Sequence, residues 1–213
     1  MKTLSCAGNF RSHKPVAVCC WVLFVQAILV FAATGLSCKD EGSRKDVSLA
    51  GAQQCVLPFP IGNAYPCFQG FNGRYGHSGV FAYSVDFTMQ IGTTITAVRG
   101  GRVRYVQESY LDTDGTPGHE NVVIIDQGDS TYARYAHLTA GGALVTAGQV
   151  VEQGDTIALS GASGQSVIPH LHFDVTKGSY DRWNAQTIPF VFMNASPSHQ
   201  ELQAGVVYRA MPY

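Results

Sequence analysis

The sequence predicts an all-β protein, on the evidence of its composition and of its short alternating segments. Of 213 residues, 23 are Gly and 9 are Pro, a turn-rich mixture that suits short strands better than a helical bundle. Apolar residues make up 46% of the chain, which is enough to build a core. After residue 40 the sequence shows no amphipathic helical pattern longer than a turn or two. We therefore expect short strands joined by tight turns.

The strands can be followed in chain order. Residues 83–89 alternate between apolar and polar side chains, which predicts a strand with one face in the core. Two hairpins are expected next, one around Gly100–Gly101 and one around residues 127–130 (QGDS). Residues 109–120 between them form the longest loop, which we expect to be a mobile rim. Later strands, separated by glycine turns, are expected at 169–176, near 188–193 and near 205–210.

The N-terminus predicts a targeting segment. Residues 16–38 carry no charge, and the three cations of the leader all precede them. Two alternatives fit: a signal peptide over residues 1–38, or a membrane anchor through residues 16–36, because about 20 apolar residues span a bilayer. Either arrangement places a linker (39–53) and a domain (54–213) outside the cytoplasm. We expect a protein of the periplasm or cell envelope, with anchoring to the inner membrane left open.

The charge balance gives no support to nucleic-acid binding. The formal net charge is −1, and three of the 14 basic residues precede residue 16. That leaves 11 basic against 15 acidic residues in the remainder, without a basic stripe. Nucleic acid is therefore not expected as a partner.

Cys55 and Cys67 are the two cysteines of the expected exported domain. An oxidising compartment permits a disulfide between them, and closing so short a loop contributes about 3 kcal/mol on the chain-entropy model. We expect this disulfide. The alternative is a pair of free, buried thiols.

Residues 168–174 (IPHLHFD) place two histidines on one strand face. Side chains alternate along a strand, so His170, His172 and Asp174 share one face, and the apolar residues between them share the other. Two imidazoles side by side lose solvation unless a partner compensates them. This pattern favours a ligand or catalytic role over a lone surface histidine.

Three further residues stand in comparable settings. Asp86 projects from the polar face of its strand, His77 lies nine residues earlier, and His137 ends a hairpin strand. Catalytic zinc usually takes three His, Asp or Glu ligands and leaves a fourth position for water. Histidines that are not ligands could position the water, take its proton or stabilise an oxyanion. At each position the alternative is a solvated or hydrogen-bonded surface residue.

Four ordered blocks of this sequence resemble the lysostaphin-type zinc endopeptidases, the LytM-like peptidoglycan hydrolases. The blocks are GHSG, YSVDFTMQIGTTITAVRGGRV, YARYAHL and GASGQSVIPHLHFDV, and the resemblance covers roughly residues 55–195. Eight residues separate the first His from the Asp, against three in the best-known members. The resemblance implies mostly antiparallel sheets that form a groove, in a LytM-like sandwich.

The resemblance also implies a role for each matching residue. His77, Asp86 and His172 would be the metal ligands for Zn²⁺, and His137 and His170 the catalytic pair. The implied reaction is hydrolysis of peptide bonds in the cross-links or stem peptides of bacterial peptidoglycan. Separately, we expect the chain to be a monomer.

The chain departs from the family pattern at one wall of the groove. Val167 and Ile168 replace the usual Thr and Gly before the His pair, and Tyr75 is a candidate for the groove tyrosine that precedes the first His. One alternative function is a non-catalytic LytM-like domain that binds cell wall or activates another hydrolase. A second is an exported β-sandwich binding module, which would bind no metal tightly.

Overall fold

The computed structural model describes residues 51–181 and 183–213, and this part of the chain is almost entirely β-structure, as the sequence predicts. Its helical content is one turn of 3₁₀ helix at Gly79–Phe81. The strands formed by the described residues are β1 (Gln53–Cys55), β2 (Ala64–Gln69), β3 (Ser84–Thr88), β4 (Thr94–Thr96), β5 (Gly101–Gln107), β6 (Asn121–Asp126), β7 (Thr131–Ala143), β8 (Val150–Val151), β9 (Thr156–Ser160), β10 (His170–Lys177), β11 (Phe190–Phe192), β12 (Ala195–Ser196) and β13 (Val207–Ala210).

The strands form one large antiparallel sheet and one small parallel ladder. The path through the large sheet is β12-β13-β2-β3-β10-β7-β6-β5-β8, and β9 joins β7 and pairs with β4. The small ladder consists of β1 and β11. The expectation of a mostly antiparallel all-β fold is therefore confirmed. Strands β3, β10 and β7 lie side by side at the centre of the path.

The core lies on one face of these central strands. Phe87 of β3 and Phe173 of β10 are fully buried. Phe190 and Phe192 of the small ladder cover them, with ring centroids 5.1 Å and 5.8 Å from Phe173. Burying each such side chain contributes about 1.5–3 kcal/mol. Because one face of β3 and β10 is committed to this core, their alternate residues face the opposite side of the sheet.

One predicted hairpin forms and the other does not. Strands β6 and β7 pair across residues 127–130, as predicted. Strands β4 and β5, on either side of Gly100–Gly101, do not pair; β4 pairs with β9, and β5 pairs with β6 and β8. Gly101 serves close packing instead, because a Cβ there would collide with the carbonyl oxygen of Asp126.

The expected disulfide between Cys55 and Cys67 is wrong. Both thiols are free and buried in the core, Cys55 in the small ladder and Cys67 in β2 of the large sheet. Burial raises the pKa of each thiol to about 12, so both behave as small apolar side chains. The alternative of two free thiols holds.

The N-terminal predictions mostly lie outside the described residues. The leader (1–38), its possible anchor (16–36) and most of the linker (39–53) belong to that part of the chain. Gln53, the last residue of the predicted linker, is already the first residue of β1. Among the residues that the structure describes, none of the helical structure is long and apolar enough to span a membrane.

Candidate metal centre and groove

The register of β3, β10 and β7 places predicted site residues next to one another. His172 of β10 lies opposite Asp86 of β3 on one side and opposite Ala136 of β7 on the other. Strand alternation puts His170 and Asp174 on the same face as His172, away from the aromatic core. This face is the floor of a groove.

His77 reaches the same point from the loop that follows β2. Its Nδ1 lies 2.9 Å from the carbonyl oxygen of Gly70. A carbonyl oxygen only accepts, so Nδ1 donates, and in the tautomer with its proton on Nδ1 the other ring nitrogen, Nε2, presents a lone pair. That Nε2 is buried without a hydrogen-bond partner and lies 3.2 Å from Oδ2 of Asp86. Two acceptor atoms at this distance are favourable only with a cation or a proton between them.

His172 is held between two carboxylates. Its Nδ1 lies 2.9 Å from Oδ1 of Asp86, and its Nε2 lies 3.3 Å from Oδ2 of Asp174. Burial alone would lower the pKa of His172, but the two carboxylates outweigh it and raise the pKa to about 9. A metal ion on the Asp86 side would replace the proton on Nδ1. Nε2 would keep its proton and donate it in a hydrogen bond to Asp174.

Asp174 is fixed by a buried arginine. Nε and one terminal nitrogen of Arg134, on β7, each lie 2.6 Å from a carboxylate oxygen of Asp174. Burial would raise the pKa of Asp174, but the Arg134 charge and the His172 ring outweigh it and hold the pKa at about 2. Asp174 is therefore ionised and keeps its orientation toward the ring of His172.

Asp86 is held in turn by Gln69, the last residue of β2. Its side-chain amide donates to Oδ2 of Asp86 at 2.7 Å, and its side chain exchanges two hydrogen bonds with the backbone of Tyr75. Burial would raise the pKa of Asp86, but the hydrogen bond and charge of His172, together with the nearby ring of His77, outweigh burial and keep this pKa well below its usual range. Gln69 thus links this carboxylate to the loop that carries His77.

His77, Asp86 and His172 together form a donor set that suits a divalent metal ion. Each residue offers one ligand atom, and the three atoms lie within 4.8 Å of one another. Among the described residues, this is the group of His, Cys, Asp or Glu side chains found close enough together to hold a metal ion. Two imidazole nitrogens and one carboxylate oxygen match the ligand types of catalytic zinc sites. The unpartnered Nε2 of His77 supplies independent support, because a bound cation would satisfy it. The residues therefore fit such an ion.

His137 and His170 lie beside this cluster with matching orientations. Nδ1 of His137 donates to the carbonyl oxygen of Ser163 at 2.7 Å, and Nδ1 of His170 donates to that of Ile168 at 2.7 Å. Their ring centroids are 4.5 Å apart. Burial lowers the pKa of both rings, that of His137 to about 3, so both are neutral at pH 7. Each neutral ring then presents Nε2 as a lone pair.

The backbone of His137 adopts an uncommon conformation. Its φ is +60°, in the left-handed region that only a few per cent of non-glycine residues occupy. The conformation occurs within β7, where the pairing with β6 and with β9 shifts register. It therefore marks a local irregularity in the strand that carries this ring.

The groove above these residues has a volume of about 740 Å³. Exposed apolar side chains form its rim: Phe68 and Tyr75, whose rings stack at 5.9 Å, with Val167 and Trp183. Tyr75, the tyrosine that the sequence marks as a candidate, thus lies on the rim, and Val167 projects into solvent at 91% exposure. The walls are suited to apolar contacts, whereas the floor carries the ionisable groups.

All five predicted site residues converge on this groove, and sequence reasoning missed their supporting partners. Asp174 could have been found, because it shares a strand face with His170 and His172. No local signal pointed to Gln69 or Arg134, since their contacts depend on the pairing of β2 with β3 and of β7 with β10.

Comparison with known proteins identifies relatives of this chain. The model of Peptidase family M23 matches residues 80–185. The peptidoglycan DD-endopeptidase ShyB of Vibrio cholerae is 33% identical over 141 residues, which cover 64% of this chain and 31% of ShyB. Lysostaphin of Staphylococcus simulans is 32% identical over 118 residues, which cover 54% of this chain and 22% of lysostaphin. The match thus spans about a third or less of these relatives.

A solved structure was also matched. It is the catalytic domain of EnpA, a prophage-encoded M23 protein from Enterococcus faecalis, with a TM-score of 0.49 and 26% identity over 62% of this chain and 94% of that one. Residues 80–185, about half of this chain, therefore form a domain of Peptidase family M23.

Proposed function

We propose that residues 54–213 form a zinc-dependent endopeptidase that hydrolyses peptide bonds in bacterial peptidoglycan. One observation carries the proposal: a lone-pair nitrogen of His77, a carboxylate of Asp86 and a nitrogen of His172 converge within 4.8 Å on the floor of an open groove. Two neutral histidines stand beside them. A cation bound by this cluster would satisfy the buried Nε2 of His77, which has no hydrogen-bond partner.

In this proposal three side chains hold the metal. His77 offers Nε2, because its Nδ1 is engaged by Gly70. His172 offers Nδ1, and its Nε2 keeps its proton and donates to the carboxylate of Asp174, which fixes the tautomer and the ring plane. Asp86 offers a carboxylate oxygen. Zinc, when bound, supplies a Lewis acid that polarises a carbonyl and makes water a nucleophile near neutral pH.

His137 and His170 handle the proton and the developing charge. Both have Nδ1 tied to a backbone carbonyl, so the free Nε2 of each is the atom that accepts a proton. One ring takes the proton of the attacking water on its Nε2 as a general base, and the positive charge that this ring then carries stabilises the developing oxyanion. Their depressed pKa values keep the free bases available at neutral pH.

The names of the relatives support the substrate and the location that we propose. ShyA and ShyB are named peptidoglycan DD-endopeptidases, and ALE-1 of Staphylococcus capitis is named a glycyl-glycine endopeptidase. We propose that this chain acts as a monomer on the peptides of the same polymer, in the periplasm or cell envelope. The uncharged leader, as signal peptide or anchor, agrees with that location.

The test is the release of muropeptides from purified cell wall by the zinc-loaded full chain, followed by mass spectrometry. We expect cleavage that a chelator abolishes and added zinc restores. His77→Ala is expected to lose both bound zinc and cleavage. The matched control is His119→Ala, since His119 lies in the loop 109–120 and its ring stacks on Tyr110 outside the metal cluster. Stoichiometric zinc without cleavage of any wall peptide would instead support the non-catalytic, wall-binding alternative.

A further inference from the structure

A three-residue segment, Gly161 to Ser163, contacts both histidines of the proposed catalytic pair; we call it the brace. The carbonyl oxygen of Ser163 accepts the Nδ1 hydrogen bond of His137 at 2.7 Å. The carbonyl oxygen of Gly161 accepts the backbone N–H of His170 at 3.2 Å. The brace therefore sets the ring of one histidine and the backbone of the other.

The carboxylate of Asp112, in the loop 109–120, holds the brace from its outer side. Its Oδ1 accepts the backbone N–H of Ala162 at 2.6 Å, and its Oδ2 accepts the hydroxyl of Thr139 at 2.6 Å. Thr139 follows His137 by two residues on β7. One carboxylate thus joins the brace to the strand that carries His137.

The packing at this point is tight. A Cβ on Gly161 would collide with the backbone nitrogen of Thr139 and with the carboxylate of Asp112. The other end of the brace is held independently of Asp112, because the Ser163 hydroxyl donates to the carbonyl oxygen of Leu138 at 2.6 Å and accepts from the backbone N–H of Asn121 at 2.9 Å. Loss of Asp112 would therefore loosen the brace and leave it attached.

Asp114, two residues further along the same loop, has a different set of partners. Its carboxylate accepts the backbone N–H of Thr116 at 3.1 Å and pairs with Nδ1 of His119 at 2.8 Å. Both partners belong to the loop 109–120. The two aspartates share a loop and a charge, but the contacts of Asp112 reach the brace and β7.

We propose that Asp112 is a positioning residue for catalysis, acting through the brace on His137 and His170. The inference rests on the proposed endopeptidase function. Removing the carboxylate leaves the Ala162 N–H and the Thr139 hydroxyl without their acceptor, so the brace shifts relative to β7. A misplacement of about 1 Å in a catalytic group can lower a rate by about 100-fold.

The experiment compares three variants of the full chain with the unaltered protein, in muropeptide kinetics and in zinc content. Asp112→Ala is expected to lower kcat by about 10- to 100-fold with little change in KM, because the groove walls and metal ligands are untouched. Asp112→Asn should stay within about threefold of the unaltered protein, since an amide can accept from Ala162 and donate to Thr139. Asp114→Ala, the matched control, should keep its kcat. Zinc stoichiometry should be the same in all three.

A second measurement does not depend on activity. Hydrogen exchange at the Ala162 amide of the metal-free protein should be at least tenfold faster in Asp112→Ala and unchanged in Asp114→Ala. Should Asp112→Ala fail to fold, Thr139→Val removes the hydroxyl alone and should lower kcat by about three- to tenfold.

The two proposals fail in different ways. An unaltered protein that cleaves no wall peptide overturns the endopeptidase function and this inference with it. An active protein whose kcat survives both Asp112→Ala and Thr139→Val overturns the positioning role alone. Equal loss of kcat in Asp112→Ala and Asp114→Ala also overturns it, because a general effect of the loop would then explain the result.

Discussion

Replacing Arg134 with Met should destabilise the domain strongly, because it leaves Asp174 as a buried charge without its main partner. The Arg134 and Asp174 side chains are only 4% and 1% exposed, and two hydrogen bonds of 2.6 Å join them. The partners that remain to Asp174 are His172 Nε2 at 3.3 Å and the Ser84 hydroxyl at 3.5 Å. Neither replaces a bidentate guanidinium.

The size of the effect follows from the burial. Removing one partner of a buried ion pair costs about 3–5 kcal/mol of the free energy of unfolding. In a domain of this size, 1 kcal/mol lowers the melting temperature by about 2–4 °C, so Arg134→Met should melt about 6–20 °C lower. Arg99→Met is the matched control, because Arg99 pairs with Asp129 with exposed fractions of 26% and 41%. An exposed pair contributes about 0–1 kcal/mol.

The assay is thermal and urea unfolding of the metal-free proteins across pH. The pKa of Asp174 is lowered to about 2 in the folded protein from 3.8, so its stabilising contribution is present above pH 4 and is lost as the pH falls toward 2. The gap between the unaltered protein and Arg134→Met should therefore narrow below pH 4. A melting temperature within 2 °C of the unaltered protein at pH 7, or a gap that widens in acid, would refute the reasoning.

Three other outcomes are expected. His137→Gln should retain zinc and lose about 100- to 10,000-fold in kcat, the range for a missing general base; loss of zinc would contradict the assignment. Gly161→Ala should lower the free energy of unfolding by about 1–3 kcal/mol, because its Cβ collides with the Thr139 backbone, and an unchanged denaturation midpoint would show that the backbone can yield. Cys55 and Cys67 should react with a thiol reagent only after unfolding, and a reductant should leave the melting temperature unchanged; a drop would reveal a disulfide.

The local part of the fold was predictable from alternation. The pattern of residues 83–89 gives the two faces of β3, and the pattern of residues 168–174 puts His170, His172 and Asp174 on one face of β10. Successive side chains in a strand point to opposite faces of the sheet. The face of each residue can therefore be deduced from its position in the strand, without knowledge of the neighbouring strands.

The non-local part was not predictable in this way. Gly100–Gly101 looks like a hairpin turn, but the partner of β4 is β9, which begins 60 residues after β4 ends. Spacing in the sequence likewise suggested a disulfide, although Cys55 and Cys67 lie in different sheets. The roles of Gln69 and Arg134 depend on which strands pair with one another, and no local sequence pattern indicates that pairing. The convergence of the five site residues was expected from the resemblance to a known family, not from spacing.

The left-handed backbone at His137 places two requirements on one residue, because the conformation favours glycine whereas the proposed chemistry needs an imidazole. A residue with a Cβ loses about 1–2 kcal/mol in this conformation, whereas glycine adopts it freely and asparagine tolerates it. Substitution of His137 by glycine or asparagine would thus make the domain more stable but would remove the imidazole. A relative of this chain that no longer needed catalysis could therefore gain stability by replacing this histidine with glycine or asparagine. The present chain keeps the histidine.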